Sequence, residues 1–179
     1  MRLLVLPALL CLLLSACGSS RMPADAGQYV GGTVPLECAP FARALTGVAL
    51  RGDAASWWDG AEGRYPRSHA PQEGSVLVLA RSSRLPYGHV AVVSQLVERR
   101  KILVTQANWV HHRVTEGQAV IDVSPANDWS EVRVFWPPSG QLGGGVYVAH
   151  GFIGPGPRTS PEEIAEATPR AIRLASAGY

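Results

Sequence analysis

A proline near the start of a short apolar stretch fixes where one helix of this chain can begin. The stretch is residues 36–43 (LECAPFAR). Proline lacks an N–H and is tolerated only in the first turn of a helix, so Pro40 places the helix start close to Cys38. Apolar spacing then predicts a helix over residues 39–45. Cys38 lies at its N-terminus, where free N–H groups and the helix dipole stabilise a thiolate.

Two later stretches supply groups that a reactive thiol needs. Residues 87–93 (YGHVAVV) contain His89, and residues 104–109 (VTQANW) contain Gln106 and Asn108. A thiolate nucleophile requires a neighbouring base, and that base requires a third group that fixes its ring and tautomer. The candidate catalytic residues are therefore Cys38, His89, Gln106 and Asn108, and the choice between the two carboxamides stays open.

The pattern around these residues predicts an antiparallel hairpin. Residues 87–97 and 102–109 are rich in β-branched residues, and the charged residues 98–101 lie between them. Pairing across that turn places His89 opposite the end of the return strand that carries both carboxamides. The two carboxamides share one face of that strand because side chains alternate.

The remaining patterns predict helices in the first half of the chain and strands in the second. A second helix is expected over residues 54–61, after Asp53 as its N-cap. Further short strands are expected, with residues 146–153 as a last edge strand, and the others are residues 75–80, 110–116, 119–123 and 131–136. This arrangement indicates an α+β fold.

Five blocks of the sequence together resemble the CHAP domain, a cysteine- and histidine-dependent amidohydrolase/peptidase. They run in the family's order between Cys38 and Trp109, and they read ECAPFAR, GDAASWW, GSVLV, GHVAVV and QANW. The resemblance implies a papain-like fold, in which N-terminal helices carrying the cysteine pack on an antiparallel sheet carrying the histidine. CHAP domains often have glutamate at the position of Gln106, so a neutral amide here is a departure.

The resemblance also implies a function. Cys38 would attack an amide of peptidoglycan and His89 would act as general base and acid, with Tyr87, Trp57 and Trp109 as candidate substrate-binding residues. The bond could be the muramoyl-L-alanine amide or a peptide bond of the stem peptide. The alternative is a non-catalytic lipoprotein that binds peptidoglycan or an envelope partner.

The N-terminus predicts export and lipid attachment. Residues 1–17 contain one early arginine and an apolar run too short for a stable membrane anchor, and they end at Cys17 after small residues. This resembles a bacterial lipoprotein signal in which Cys17 is lipidated, and an ordinary secretory signal is the alternative. The expected location is the outer membrane, facing the periplasm. We expect a tether over residues 18–34, the catalytic domain over residues 35–154 and a tail over residues 155–179.

Composition narrows the function classes further. A chain of 179 residues with 46% hydrophobic content can bury one core, and a net charge of +2 gives no indication of nucleic-acid binding. Neither a cofactor nor a metal is expected, since the adjacent His111 and His112 would face opposite ways on a strand. After processing, Cys38 is the one remaining thiol of an exported protein, so no intramolecular disulfide is expected. We expect a monomer.

Overall fold

The computed structural model describes residues 24–178. In chain order its elements are β1 (Ala26–Val30), α1 (Cys38–Thr46), a 3-10 turn (Ala54–Ser56), α2 (Trp57–Gly60), β2 (Arg67–Ser68), β3 (Val76–Leu79), β4 (His89–Glu98), β5 (Lys101–Ala107), β6 (Val114–Asp122), β7 (Glu131–Trp136), β8 (Gln141–Leu142), β9 (Tyr147–Ile153) and α3 (Pro161–Ser176).

The sheet closes on itself. Neighbouring strands pair in the order β6-β5-β4-β3-β9-β7, and β7 pairs back to β6, so six antiparallel strands form a barrel. The return pairing joins Val120 to Val134 and Asp122 to Val132. Strand β1 extends the sheet beyond β6, and the short β2 and β8 pair with β9 and β7.

The α+β, papain-like prediction of fold class was wrong. Within residues 24–178 the protein is mostly sheet, with a closed barrel and three helices. The expected edge strand explains the error, because β9 lies between β3 and β7 and completes the ring. The helix expected over residues 54–61 is a 3-10 turn followed by the single turn α2, and the Asp53 side chain makes no cap to it.

Strand alternation divides the apolar residues into two cores. Leu77 and Val93 lie in the barrel interior with Phe152. Their chain neighbours Val76 and Val92 face the opposite way, toward the helices. Strand β3 and the first six residues of β4 are therefore buried on both faces, which holds the start of β4 beside α1.

The ends of the described chain pack on this frame. β1 lies within the range expected to be a tether and pairs with β6, and α3 lies within the range expected to be a tail. Ser160 caps the start of helix α3 and forms a capping box with Glu163, and the buried Ile164 and Ile172 of the helix share the core of α1. The predicted signal, residues 1–17 with Cys17, lies outside the described residues. Within residues 24–178, no helix is long and apolar enough to cross a membrane.

Candidate active site

Cys38 is the first residue of helix α1, as the position of Pro40 predicts. Glu37 precedes it in extended conformation, with φ −92° and ψ 155°, and its side chain does not cap the helix. The first backbone N–H groups of a helix have no partner within the helix. Those of Cys38 and Ala39 are therefore available to an anion or to a developing oxyanion. The thiol is half-buried, so it faces both the protein and the solvent.

His89 is the first residue of β4 and lies beside that thiol. Its side chain is only 4% exposed, and Cys38 is close enough to perturb the pKa of its ring. The preceding Gly88 has φ +70°, and a Cβ there would lie 2.6 Å from both the Ala55 Cβ and the Leu79 carbonyl oxygen. Glycine is therefore required at position 88 for β3 and the 3-10 turn to approach closely enough to place His89.

The two groups stabilise each other's charge. Burial opposes ionisation of Cys38, but the charge of His89 and a hydrogen bond from it outweigh that cost, so the pKa of Cys38 is lowered. Burial likewise opposes protonation of His89, but Cys38 outweighs it together with a hydrogen bond to Gln106, so the pKa of His89 is raised. Opposite shifts of this kind favour a thiolate–imidazolium pair.

Gln106, and not Asn108, is the carboxamide that contacts the imidazole. The His89 Nε2 lies 2.8 Å from the Gln106 Oε1, and the glutamine is 2% exposed. The Asn108 Nδ2 instead donates to the Glu37 Oε2 at 2.8 Å, and its Oδ1 accepts from the His112 N–H at 2.9 Å. Asn108 has φ 62°, a left-handed conformation that turns the chain at the end of β5. The shared strand face expected from alternation therefore ends at Gln106.

Glu37 also belongs to the site, although the sequence pattern assigned it no role. Its carboxylate is held by Asn108, and its charge opposes ionisation of Cys38 while favouring protonation of His89. The one signal in the sequence was its position directly before the cysteine, which does not reveal a partner 71 residues away.

An open cleft of about 520 Å³ gives access to the pair. Cys38 and His89 line it, together with Arg84 and the 68% exposed Tyr87. Trp57, another candidate substrate-binding residue, is fully buried in the core and is not among the residues that line this cleft.

Trp109 packs against the imidazole of His89. Its ring packs edge-on against His89, with centroids 5.0 Å apart, and it lines a separate groove of about 330 Å³. Trp109 therefore contacts the imidazole and is not among the residues that line the main cleft. Among residues 24–178, no group of three or more His, Cys, Asp or Glu side chains could hold a metal ion.

We expect Gln106→Ala to lower turnover about 10- to 100-fold, because His89 loses the group that orients it. Asn108→Gly should cost less than that, since it removes a side chain that does not touch His89. Glycine is the matched replacement because it keeps the left-handed backbone at this position. Initial rates of the two variants, measured side by side, check this. Equal losses, or a larger loss for Asn108→Gly, would contradict the assignment.

Comparison with known proteins identifies a family for part of the chain. The CHAP domain family matches residues 28–108, a range that contains Cys38, His89 and Gln106. No curated protein matches the chain. One matching solved structure, "The crystal structure of Ly7917", is 16% identical, with a TM-score of 0.40, and the match covers 75% of this chain and 58% of that one. A similarity at this level supports no conclusion about fold or function.

Proposed function

We propose that this chain, whose residues 28–108 form a CHAP domain, is a cysteine-dependent hydrolase that cleaves amide bonds of peptidoglycan. CHAP domains are typically hydrolases, and the family suggests amidase or peptidase activity on peptidoglycan. One observation carries the proposal for this chain. Cys38 begins a helix and lines one cleft with the buried His89, and the Gln106 Oε1 lies 2.8 Å from the Nε2 of that imidazole.

The reaction follows from this arrangement. The Cys38 thiolate attacks the carbonyl carbon of the amide and forms a tetrahedral intermediate. The backbone N–H of Cys38 is placed to stabilise the oxyanion. The imidazolium of His89 gives its proton to the leaving nitrogen, the C–N bond breaks, and an acyl thioester remains on Cys38. His89 then takes a proton from water, the resulting hydroxide attacks the thioester, and the carboxylic acid and the thiolate–imidazolium pair are regenerated.

The cleft suits an extended, charged substrate. It is open to solvent and about 520 Å³ in volume, with the Arg84 side chain and the exposed Tyr87 on its lining. Peptidoglycan stem peptides carry carboxylates that a guanidinium can bind. We propose a bond next to the stem peptide, which is either the muramoyl-L-alanine amide or a peptide bond within the stem.

We also propose that the protein acts at the outer membrane, facing the periplasm, as a lipid-anchored monomer. The support is the signal-like run in residues 1–17, which ends at Cys17. Cys17→Ala is expected to move the protein from the membrane fraction to the soluble fraction of cells. Retention in the membrane fraction would show that another segment anchors it.

Digestion of purified peptidoglycan tests the proposed reaction. The protein is incubated with peptidoglycan, and released fragments are identified by mass spectrometry, beside protein whose thiol has been blocked with iodoacetamide. New fragments are expected from the untreated protein alone, and their masses name the bond. Binding to the wall without any new fragment, at high protein concentration, would favour the non-catalytic alternative.

A further inference from the structure

A chain of buried amides continues from His89 across the barrel. The Gln106 Oε1 lies 2.8 Å from the His89 Nε2, and the Gln106 Nε2 donates to the Gln118 Oε1 at 2.8 Å. The Gln118 Nε2 donates in turn to the Phe135 carbonyl oxygen at 2.7 Å. These four residues lie on four strands that are consecutive in the barrel, β4, β5, β6 and β7.

The Phe135 carbonyl, at the end of this series of hydrogen bonds, sets the donor and the acceptor in each of them. A backbone carbonyl can only accept, so the NH₂ group of Gln118 must point toward Phe135. The Gln118 oxygen then faces the NH₂ group of Gln106, and the Gln106 oxygen faces His89. The His89 Nε2 must therefore carry a proton, which leaves the other ring nitrogen free to take the proton of the Cys38 thiol.

Because both glutamines are buried, water does not compete for their hydrogen bonds. Gln106 is 2% exposed and Gln118 is 0% exposed. Both follow the alternation of barrel-core residues, since Val104 precedes Gln106 by two positions and Val120 follows Gln118 by two. A β-bulge between the pairs Val104–Gln118 and Gln106–Thr115 offsets the strands and lets the two amides meet.

We propose that Gln118 is a positioning residue, which uses the Phe135 carbonyl to fix the amide of Gln106 and thereby the tautomer and orientation of His89. The proposal rests on the thiol–imidazole pair of the proposed function but not on its substrate. This role depends on closure of the barrel. The Phe135 carbonyl belongs to β7, and the pairing of β7 with β6 is the one that completes the ring.

We call the series of hydrogen bonds from His89 through Gln106 and Gln118 to Phe135 the relay. Its neutral groups are suited to the interior of the barrel. At position 118, which has no cationic neighbour among these contacts, an ionised carboxylate would be costly to bury. It would also face the Phe135 carbonyl oxygen, an acceptor with no proton to give. The relay supplies orientation only. The charge next to His89 comes from Cys38 and Glu37.

The test is the pH dependence of Cys38 alkylation by iodoacetamide, which needs no substrate. All variants carry Cys11→Ser and Cys17→Ser, so that Cys38 is the single thiol among the three cysteines. Gln118→Met keeps the side-chain length but removes both hydrogen bonds. It is expected to slow alkylation near neutral pH at least about 10-fold and to move the profile to higher pH. Gln95→Met, on the exposed end of β4, is the matched control and should leave the profile unchanged.

Gln118→Glu separates positioning from packing. In either ionisation state the acid group still offers an oxygen that accepts from Gln106, so this variant should alkylate within about 3-fold of the wild-type rate, which is small beside the loss of about 10-fold expected for Gln118→Met. The cost of burying the acid group should appear separately, as a lower unfolding temperature. A folded Gln118→Met protein whose profile superimposes on that of the wild type would overturn the proposal.

A further measurement does not require any relay variant to fold. In Cys38→Ala protein, ¹⁵N NMR of the neutral His89 ring, assigned by its loss in a His89→Ala double variant, should report a proton on Nε2. A proton on Nδ1 would overturn the proposal. Peptidoglycan digestion is measured separately. If the variants alkylate as expected but the wild-type protein does not digest peptidoglycan, the proposed substrate is refuted and the role of Gln118 is not.

Discussion

Cys38→Ala is expected to lower the rate of amide hydrolysis by about 10⁴-fold or more, because no other group can form the acyl intermediate. The side chain is small and half-buried at the first position of α1, so its replacement by alanine keeps the helix and its core contacts. The measurement is the initial rate of release of new amines from a soluble peptidoglycan fragment, with wild-type protein alongside.

Thermal unfolding of the same sample provides the control. Cys38→Ala should still unfold cooperatively, at a temperature somewhat below that of the wild type, because the pKa of Cys38 is lowered in the folded protein and its ionisation therefore contributes to stability. Residual hydrolysis within about 10-fold of wild type, in protein free of other hydrolases, would mean that Cys38 is not the nucleophile.

His89→Ala is expected to slow alkylation of Cys38 about 100-fold at pH near 7, through loss of the thiolate. In the wild type, His89 outweighs burial and lowers the pKa of Cys38 from its ordinary value of 9.0. Without His89, burial and the charge of Glu37 both raise the pKa, and only the hydrogen bond from the Val90 backbone opposes them. The thiol therefore stays protonated until a higher pH, and the alkylation profile moves toward alkaline pH.

His111→Ala is the matched control for that experiment. His111 is exposed and stacks on His112, so its loss should leave the alkylation profile of Cys38 unchanged. Hydrolysis by His89→Ala should be lost along with the thiolate, and raising the pH should restore alkylation but not turnover, since the leaving nitrogen still lacks its acid. A wild-type profile in folded His89→Ala protein would contradict the ion pair.

The local features of the site could be predicted from the sequence because short-range rules determine them. Pro40 restricts the helix start, and α1 begins at Cys38 as expected. The charged turn at residues 98–101 fixes the antiparallel pairing of β4 and β5, which brings His89 to Gln106. Each of these depends on proline geometry or strand alternation within a few residues.

The barrel could not be predicted in this way because its closing pairs are distant in the sequence. Nothing in the pattern of residues 146–153 distinguishes an edge strand from one paired on both sides, yet β9 pairs with both β3 and β7. The sequence also could not decide whether Gln106 or Asn108 orients His89, for a related reason. The left-handed backbone of Asn108 ends the alternation, and its partner Glu37 is remote in the sequence.

The sequence around Gln118 does indicate a buried amide. Gln118 lies in a strand among buried apolar neighbours, two residues before Val120, where alternation points its side chain into the barrel. A glutamine at such a position requires partners for its amide, because burying an unpaired amide is costly. The partners themselves, Gln106 and the Phe135 carbonyl, emerge only from the assembled sheet.

The central claim is that Cys38 becomes acylated by peptidoglycan. The most direct test mixes the protein with soluble peptidoglycan fragments, quenches with acid within the first turnover, and maps any mass increase by peptide mass spectrometry. The account predicts an adduct on the peptide that contains Cys38, equal in mass to the acyl half of the cleaved bond and absent from Cys38→Ala protein. Release of cleaved products without any adduct, at a rate unaffected by blocking the thiol, would contradict it.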